Sequence, residues 1–335
     1  DTGAALQARA REVLRRRQIK IVGITGSVGK TTTKEFTAAL LAPRFRVLKS
    51  EGNFNNHLGL ALSLLRLGPD HDAAVLEMGM SAPGEIRLLT RIAPPDVAVV
   101  TNISPDHFGE YGIDDLEGLA DVKLSIAHLL DREGLLVLNA DDALLCAKSD
   151  ALRIRLGWQP TLGWFARQYD HPALVQHRAL QGPTCGVAAG RLRLSCDGVE
   201  YDLGAIDDMP LTIEGAAKYN VENLAGAALV AAKLGVPPAT IAQVFATFGR
   251  DLAEVPRRGH RKEALLHRPR LNGVSAVATV SRKSWSCADW APRTPNPVDE
   301  VRSIADALAG AGVREVEPAG DGPAWPTAAA TGSGM

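Results

Sequence analysis

Residues 19–35 hold the side chains best suited to chemistry: a β-branched run from Ile19 to Thr25, then Gly26-Ser-Val-Gly29, then Lys30-Thr31-Thr32. The run reads as a buried strand, the paired glycines as a tight loop, and Lys30 as the opening of a helix. Such a loop turns successive backbone N–H groups inward, with the positive end of a helix dipole behind them. A polyphosphate placed there meets partial charges that need no reorganisation. Lys30 adds a full charge at the β- and γ-phosphates, and the Thr31 hydroxyl is a hard oxygen donor for Mg²⁺. The strict pattern asks for glycine at position 24, where this chain has Ile24. A ligand-free strand-to-helix turn is the alternative, but strand, glycines and Lys-Thr all agree. Thr25, Gly26, Ser27, Val28, Gly29, Lys30, Thr31 and Thr32 are therefore expected to hold a nucleotide.

Further polar residues sit at the ends of expected core strands. Asn53, Asn55 and Asn56 crowd a loop between Ser50 and Gly59, where they serve either to grip a substrate's amide or sugar groups or simply to make a turn. Glu77 ends the strand Asp72–Gly79; there it is either a Mg²⁺ ligand or a residue satisfied by backbone donors. His107 follows the strand Asp96–Asn102 in a polar loop on the side where the phosphates belong. Lys123, on a helix over 115–130, reads by itself as a snorkelling surface residue. Asn220 and Asn223, near the start of a helix over 218–234, face a nucleobase or cap that helix.

The elements that must position these groups alternate between strand and helix. A helix over 3–17 is expected to cover one sheet edge. Strands over 44–49 and 134–139 and helices over 60–67, 83–92 (with Pro83 in its first turn) and 238–248 complete the alternation. From about 160 to 213 the texture changes to short segments (161–165, 191–195, 200–203, 209–213), read as antiparallel strands lying against the parallel sheet. The fold class is α/β: a P-loop-containing, mostly parallel sheet flanked by helices, with a smaller antiparallel β portion.

Bulk properties narrow the function. A length of 335 residues allows two domains with cores of their own. The net charge of −1 gives no general pull on nucleic acid or an anionic membrane, and no basic stripe is interleaved with stacking aromatics. Cys146, Cys185, Cys196 and Cys287 are scattered without a C-x-x-C pair, which argues against zinc and a disulfide framework. No apolar run approaches 18 residues, so membrane insertion is not expected. The composition is that of a cytoplasmic enzyme, expected as a monomer. Since it opens on Asp1, the chain reads as a fragment.

Taken together, Gly23–Glu35, Leu76–Gly79, Thr101-Asn102 with Pro105-Asp-His107, Ala120–Lys123, Leu138–Asp142 and Gly215–Asn223 resemble the central ATP-binding domain of the Mur ligases. These enzymes build the peptide of bacterial cell-wall precursors. The resemblance runs from about residue 18 to 250. Residues 52–59 and 77–85 look most like the branch that adds D-alanyl-D-alanine, while 105–113 and 209–223 look more like the cyanophycin-synthetase branch. It implies ATP and Mg²⁺ as cofactors, and as substrates a carboxylate-bearing precursor and an amino acid or dipeptide. The implied reaction phosphorylates the carboxylate and lets an amine attack the acyl phosphate. By the same resemblance Lys30 and Thr31 hold phosphate and Mg²⁺, Glu77 and His107 are metal ligands, and Lys123 matches the lysine that becomes carbamylated. Asn220 and Asn223 approach the adenine, and Arg257 serves the phosphates.

Beyond residue 250 the family pattern stops. Val255-Pro-Arg-Arg-Gly259 stands where a Pro-Gly-Arg is usual, and 260–335 is rich in Arg, Pro, Ala, Gly and Ser. A divergent small domain, a disordered extension and a shifted reading frame are the three accounts. A truncated ligase with weak activity, or an inactive nucleotide-binding module, follows as an expectation.

Overall fold

A nine-stranded sheet carries the phosphate loop close to its centre. The computed structural model describes residues 2–105, 115–212 and 217–250, without the side chain at 218. In chain order the elements begin α1 (Thr2–Arg15), β1 (Lys20–Thr25), α2 (Lys30–Leu41), β2 (Val47–Lys49), α3 (His57–Leu65) and β3 (Ala73–Glu77). Next come α4 (Glu85–Ile92), β4 (Val97–Val100), α5 (Leu116–Leu124), β5 (Leu135–Asn139), α6 (Ala143–Ser149) and α7 (Leu152–Leu156). The last part holds β6 (Thr161–Gln168), α8 (Pro172–Ala179), β7 (Thr184–Ala188), β8 (Arg191–Cys196), β9 (Val199–Ala205), α9 (Lys218–Lys233) and α10 (Pro238–Thr247). The strand order is β2-β3-β1-β4-β5-β6-β7-β8-β9. Pairing is parallel from β2 through to β7, and β8 and β9 close that side as antiparallel strands.

The central strands are apolar on both faces, as a sheet covered twice requires. Val22, Ile24, Val75, Val99 and Val137 join Phe36 and Leu40 of α2 and Leu229 of α9 in one core. The alternate residues Ile21, Leu76, Val100 and Leu136 are buried as well. Small residues let α9 lie close to the sheet: a Cβ on Gly226 would stand 3.2 Å from the Phe165 ring. Among the described residues no helix is long and apolar enough to cross a membrane.

The chain leaves β1 for β2, returns through β3, then crosses β1 to reach β4. This reversal opens a crevice beyond the carboxyl ends of β1, β3 and β4, where open parallel sheets take their ligands.

Several expectations are corrected. The helix over 3–17 packs against α3 and α4 rather than covering a sheet edge. Pro83 lies before Gly84, the N-cap of α4, and so outside its first turn. The helix over 115–130 ends at Leu124 and continues as a 3₁₀ turn, Ser125–Leu129. The segment 161–165 belongs to β6, which is parallel to β5, and the unanticipated β7 is parallel to β6. The β8–β9 hairpin therefore extends the same sheet instead of lying against it. Residues Pro210–Thr212 form a 3₁₀ turn, not a strand.

Candidate active site

The loop after β1 keeps its shape through glycines that no other residue replaces without strain. Gly29, the N-cap of α2, has φ 89°; a Cβ there would meet Asn223 Oδ1 at 2.6 Å. Gly26 has φ 141°, and a Cβ would lie 1.9 Å from Thr101 Oγ1. Glycine tolerates such conformations at no steric cost.

The segment leaving β4 braces this loop. Asn102 Oδ1 accepts from Val28 N–H at 2.9 Å and its Nδ2 donates to Val28 O at 3.0 Å. The Asn102 carbonyl accepts from Ser27 N–H at 3.0 Å. Thr101 Oγ1 donates to Val28 O at 2.6 Å, and Ser27 Oγ donates to Ser104 O at 3.0 Å. The N–H groups of Ser27 and Val28 are thus engaged by Asn102. The first turn of α2 opens directly behind the loop at Gly29, which sets the positive end of the helix dipole towards an anion held there. Thr25 Oγ1, at the base of the loop, is buried with no hydrogen-bond partner among the described residues.

Lys30 folds back over the loop, its Nζ donating to Gly26 O at 2.7 Å and Ser27 O at 3.0 Å. Thr31 Oγ1 donates to Glu77 Oε2 at 2.9 Å. Glu77, 3% exposed at the end of β3, also accepts from Asn55 Nδ2 at 3.0 Å through Oε1. Its backbone N–H donates to Ser50 Oγ at 3.0 Å. The reading of Glu77 as a strand end satisfied by backbone donors is corrected: side chains hold its carboxylate. These hard oxygen donors beside the loop suit Mg²⁺.

The three loop asparagines part company. Asn55 reaches Glu77, and its carbonyl accepts from Gly79 N–H at 2.8 Å. Asn56 is the N-cap of α3, accepting from Leu58 N–H and Gly59 N–H at 3.1 and 2.8 Å. Asn53 is exposed.

On the far side of the loop, Asn223 is buried and its Oδ1 accepts from Thr33 Oγ1 at 3.1 Å. Asn220 Nδ2 donates to Leu211 O at 2.6 Å. Neither caps α9, whose N-cap is Ala217, so the capping alternative is corrected. Next to Asn223, Glu222 Oε2 accepts from Asn139 Nδ2 at 3.3 Å, and Glu222 Oε1 lies 3.2 Å from Arg167 Nε. Burial raises the Glu222 carboxyl above its usual range, and the nearby Asp141 adds to this.

Lys123, near the end of α5, is 1% exposed. The snorkelling surface reading is corrected by that burial. His107 and Arg257 lie outside the described residues, and among those described no group of three or more His, Cys, Asp or Glu side chains could hold a metal. Asn102 and Thr101 emerge as residues bracing the site without an assigned role in the sequence reading. A strand-end Thr-Asn beside a phosphate loop was the available signal for both.

A phosphate loop at the switch point of a parallel sheet defines a P-loop α/β fold. Residues 24–156 match the Mur ligase middle domain. The UDP-N-acetylmuramoyl-tripeptide–D-alanyl-D-alanine ligase of Bacillus subtilis is 48% identical over 145 residues, covering 43% of this chain and 31% of that protein. The ligase of the same name from Escherichia coli is 32% identical over 258 residues, covering 75% and 52%. The chain thus spans about half the length, or less, of these curated relatives. Among solved structures, MurF ligase from Thermotoga maritima in complex with ADP matches with a TM-score of 0.53 and 26% identity, covering 72% of this chain and 52% of that one. MurF from Acinetobacter baumannii matches with a TM-score of 0.57 and 25% identity, covering 74% and 50%.

Proposed function

We propose that residues 18–250 are the ATP-handling domain of a Mur-type amide ligase, ADP-forming, that adds D-alanyl-D-alanine to a UDP-muramoyl tripeptide in the cytoplasm. The observation that carries this reading is the Thr31–Glu77 hydrogen bond beside a loop whose lysine rests on the loop's own carbonyls. The likeness to D-alanyl-D-alanine-adding ligases supports the choice of substrates.

In this reading the first turn of α2 and Lys30 hold the β- and γ-phosphates of ATP, and Lys30 must leave Gly26 O and Ser27 O to do so. Thr31 and Glu77, with His107 and a carbamylated Lys123, would hold Mg²⁺. The metal supplies charge neutralisation for the developing phosphoryl transition state. The substrate carboxylate oxygen attacks the γ-phosphorus, ADP leaves, and an acyl phosphate forms. The amine then attacks the acyl carbon, phosphate leaves with the C–O bond electrons, and the amide nitrogen loses a proton. Asn220, Asn223 and Arg257 serve the nucleotide, and Asn53 faces the acyl substrate.

Calorimetry with ATP and Mg²⁺ tests the assignment. Lys30→Ala removes a charge-assisted contact worth about 1.5–3 kcal/mol, so affinity falls roughly tenfold or more. Equal affinity in wild type and variant would falsify the site. Release of ADP that depends on both the UDP-muramoyl tripeptide and D-alanyl-D-alanine tests the reaction.

A further inference from the structure

Lys34 stands one helical turn after Lys30 on α2, and its side chain is 1% exposed. Its ammonium lies 3.7 Å from Glu77 Oε2 and 3.7 Å from Glu35 Oε1. Glu35 in turn pairs with Lys49 on β2. Thr31, Lys34 and Glu35 share one helix face by their i, i+3, i+4 spacing, and that face meets the end of β3. Charges alternate along Lys49–Glu35–Lys34–Glu77, two of each sign. Lys49 answers Glu35 from the exposed end, which leaves the charge of Lys34 to Glu77.

A phosphate loop needs one lysine, and Lys30 supplies it. A second lysine taken wholly out of water costs desolvation energy that packing does not return; an apolar residue of similar length fills the same space more cheaply. The arrangement makes sense if the charge has a task at Glu77. That carboxylate has two oxygens with distinct partners: Oε1 accepts from Asn55, and Oε2 accepts from Thr31. Lys34 approaches Oε2, the oxygen on the Thr31 side.

We propose that Lys34 is a positioning residue for Glu77. It is the resident cation that keeps the Oε2 edge turned to Thr31, so that the two oxygen donors are set before Mg²⁺ arrives. The inference rests on the reading of Thr31 and Glu77 as Mg²⁺ ligands.

The test is ADP affinity by calorimetry on the full chain, at saturating Mg²⁺ and again in excess EDTA. Lys34→Met is expected to weaken Mg²⁺-dependent binding about 10–100-fold, the range for residues that orient metal ligands, and to leave binding in EDTA unchanged. Lys34→Arg, which keeps the charge, is expected to recover part of the loss. Equal weakening in both conditions overturns the inference, because the lysine would then serve the loop's fold. Unchanged affinity in both overturns it too. If Lys34→Met does not fold, Lys34→Gln is read in the same two conditions, and failure of both to fold counts against the proposal. A wild type whose ADP binding ignores Mg²⁺ instead sinks the metal reading itself, a result visible before any variant is made, and the inference falls with it.

Discussion

Asn223 Oδ1 accepts a hydrogen bond from Thr33 Oγ1, and the same oxygen occupies the space a side chain on Gly29 would need. The two hydrogen-bonded residues are 190 positions apart in the chain. The phosphate loop is therefore clamped from both sides. Thr101 and Asn102 hold it from β4, and Asn223 holds it from α9. The preorganisation that a polyphosphate site requires comes from these braces as much as from the loop's own sequence.

Asn223→Ala should destabilise the protein in the absence of any nucleotide. Thr33 Oγ1 would lose its partner in a buried place, at a cost of about 1–3 kcal/mol. Urea unfolding of the apo protein measures this directly. An unchanged midpoint would show that Asn223 matters only when a nucleobase is present.

Substituting the loop glycines should cost more than the loss of a contact. Gly29→Ala places a Cβ at φ 89° and against Asn223, and backbone strain of this kind is worth roughly 1–3 kcal/mol. Gly26→Ala drives the Cβ into Thr101 Oγ1, so its effect should be the larger of the two. The order of the two unfolding midpoints checks the argument; Gly29→Ala as the more damaging variant would contradict it.

How far the sequence reveals this site depends on how local each signal is. Ile19–Thr25, the glycines and Lys30-Thr31 form a contiguous pattern, and the structure places strand, loop and helix where that pattern puts them. Asn56 carried a local signal as well, an asparagine just before an apolar helix, yet the helix was expected to begin at Leu60 instead of His57. The contact of Asn55 with Glu77 spans 22 residues and has no periodic signature. β7 was missed because Thr184–Ala188 is short and contains Gly186, which weakens a strand pattern. The direction of β6 differs from the sequence reading for another reason: alternation marks a strand but not its sense. Pro172, at the start of α8, was the clue to a helical crossover between parallel strands.

Glu222 gives a dependence on pH. Burial first, and Asp141 second, raise its folded-state pKa above the ordinary carboxyl value of 4.5. The native state then holds a proton that the unfolded state has already released, so stability falls as pH rises from 4.5 through the folded value. Above that window the penalty is complete; below pH 4.5 it is absent. Glu222→Gln, which keeps an acceptor for Asn139, should therefore gain stability relative to wild type at neutral pH, with the difference shrinking towards pH 4. A difference independent of pH would mean that the carboxylate is satisfied by Arg167 and carries no penalty.

Lys123 is the residue whose chemistry most needs a direct measurement. It lies near the end of α5, 1% exposed, and the proposed function takes it as a carbamylated Mg²⁺ ligand. Its amine can add CO₂ to form a carbamate with release of a proton. This exchanges a cation for an anionic oxygen donor, the class of ligand Mg²⁺ takes. The expected outcome is a protein-bound carbamate carbon signal when the chain is equilibrated with ¹³C-bicarbonate and observed by NMR. The signal should vanish in Lys123→Ala. Bicarbonate should raise the Mg²⁺-dependent turnover of ATP in wild type and leave the variant unchanged, because only the wild type has the amine to modify. A signal that persists in Lys123→Ala would place the carbamate on another amine. No signal in either, with equal turnover, would leave Lys123 as a buried structural lysine and require a metal site built without it.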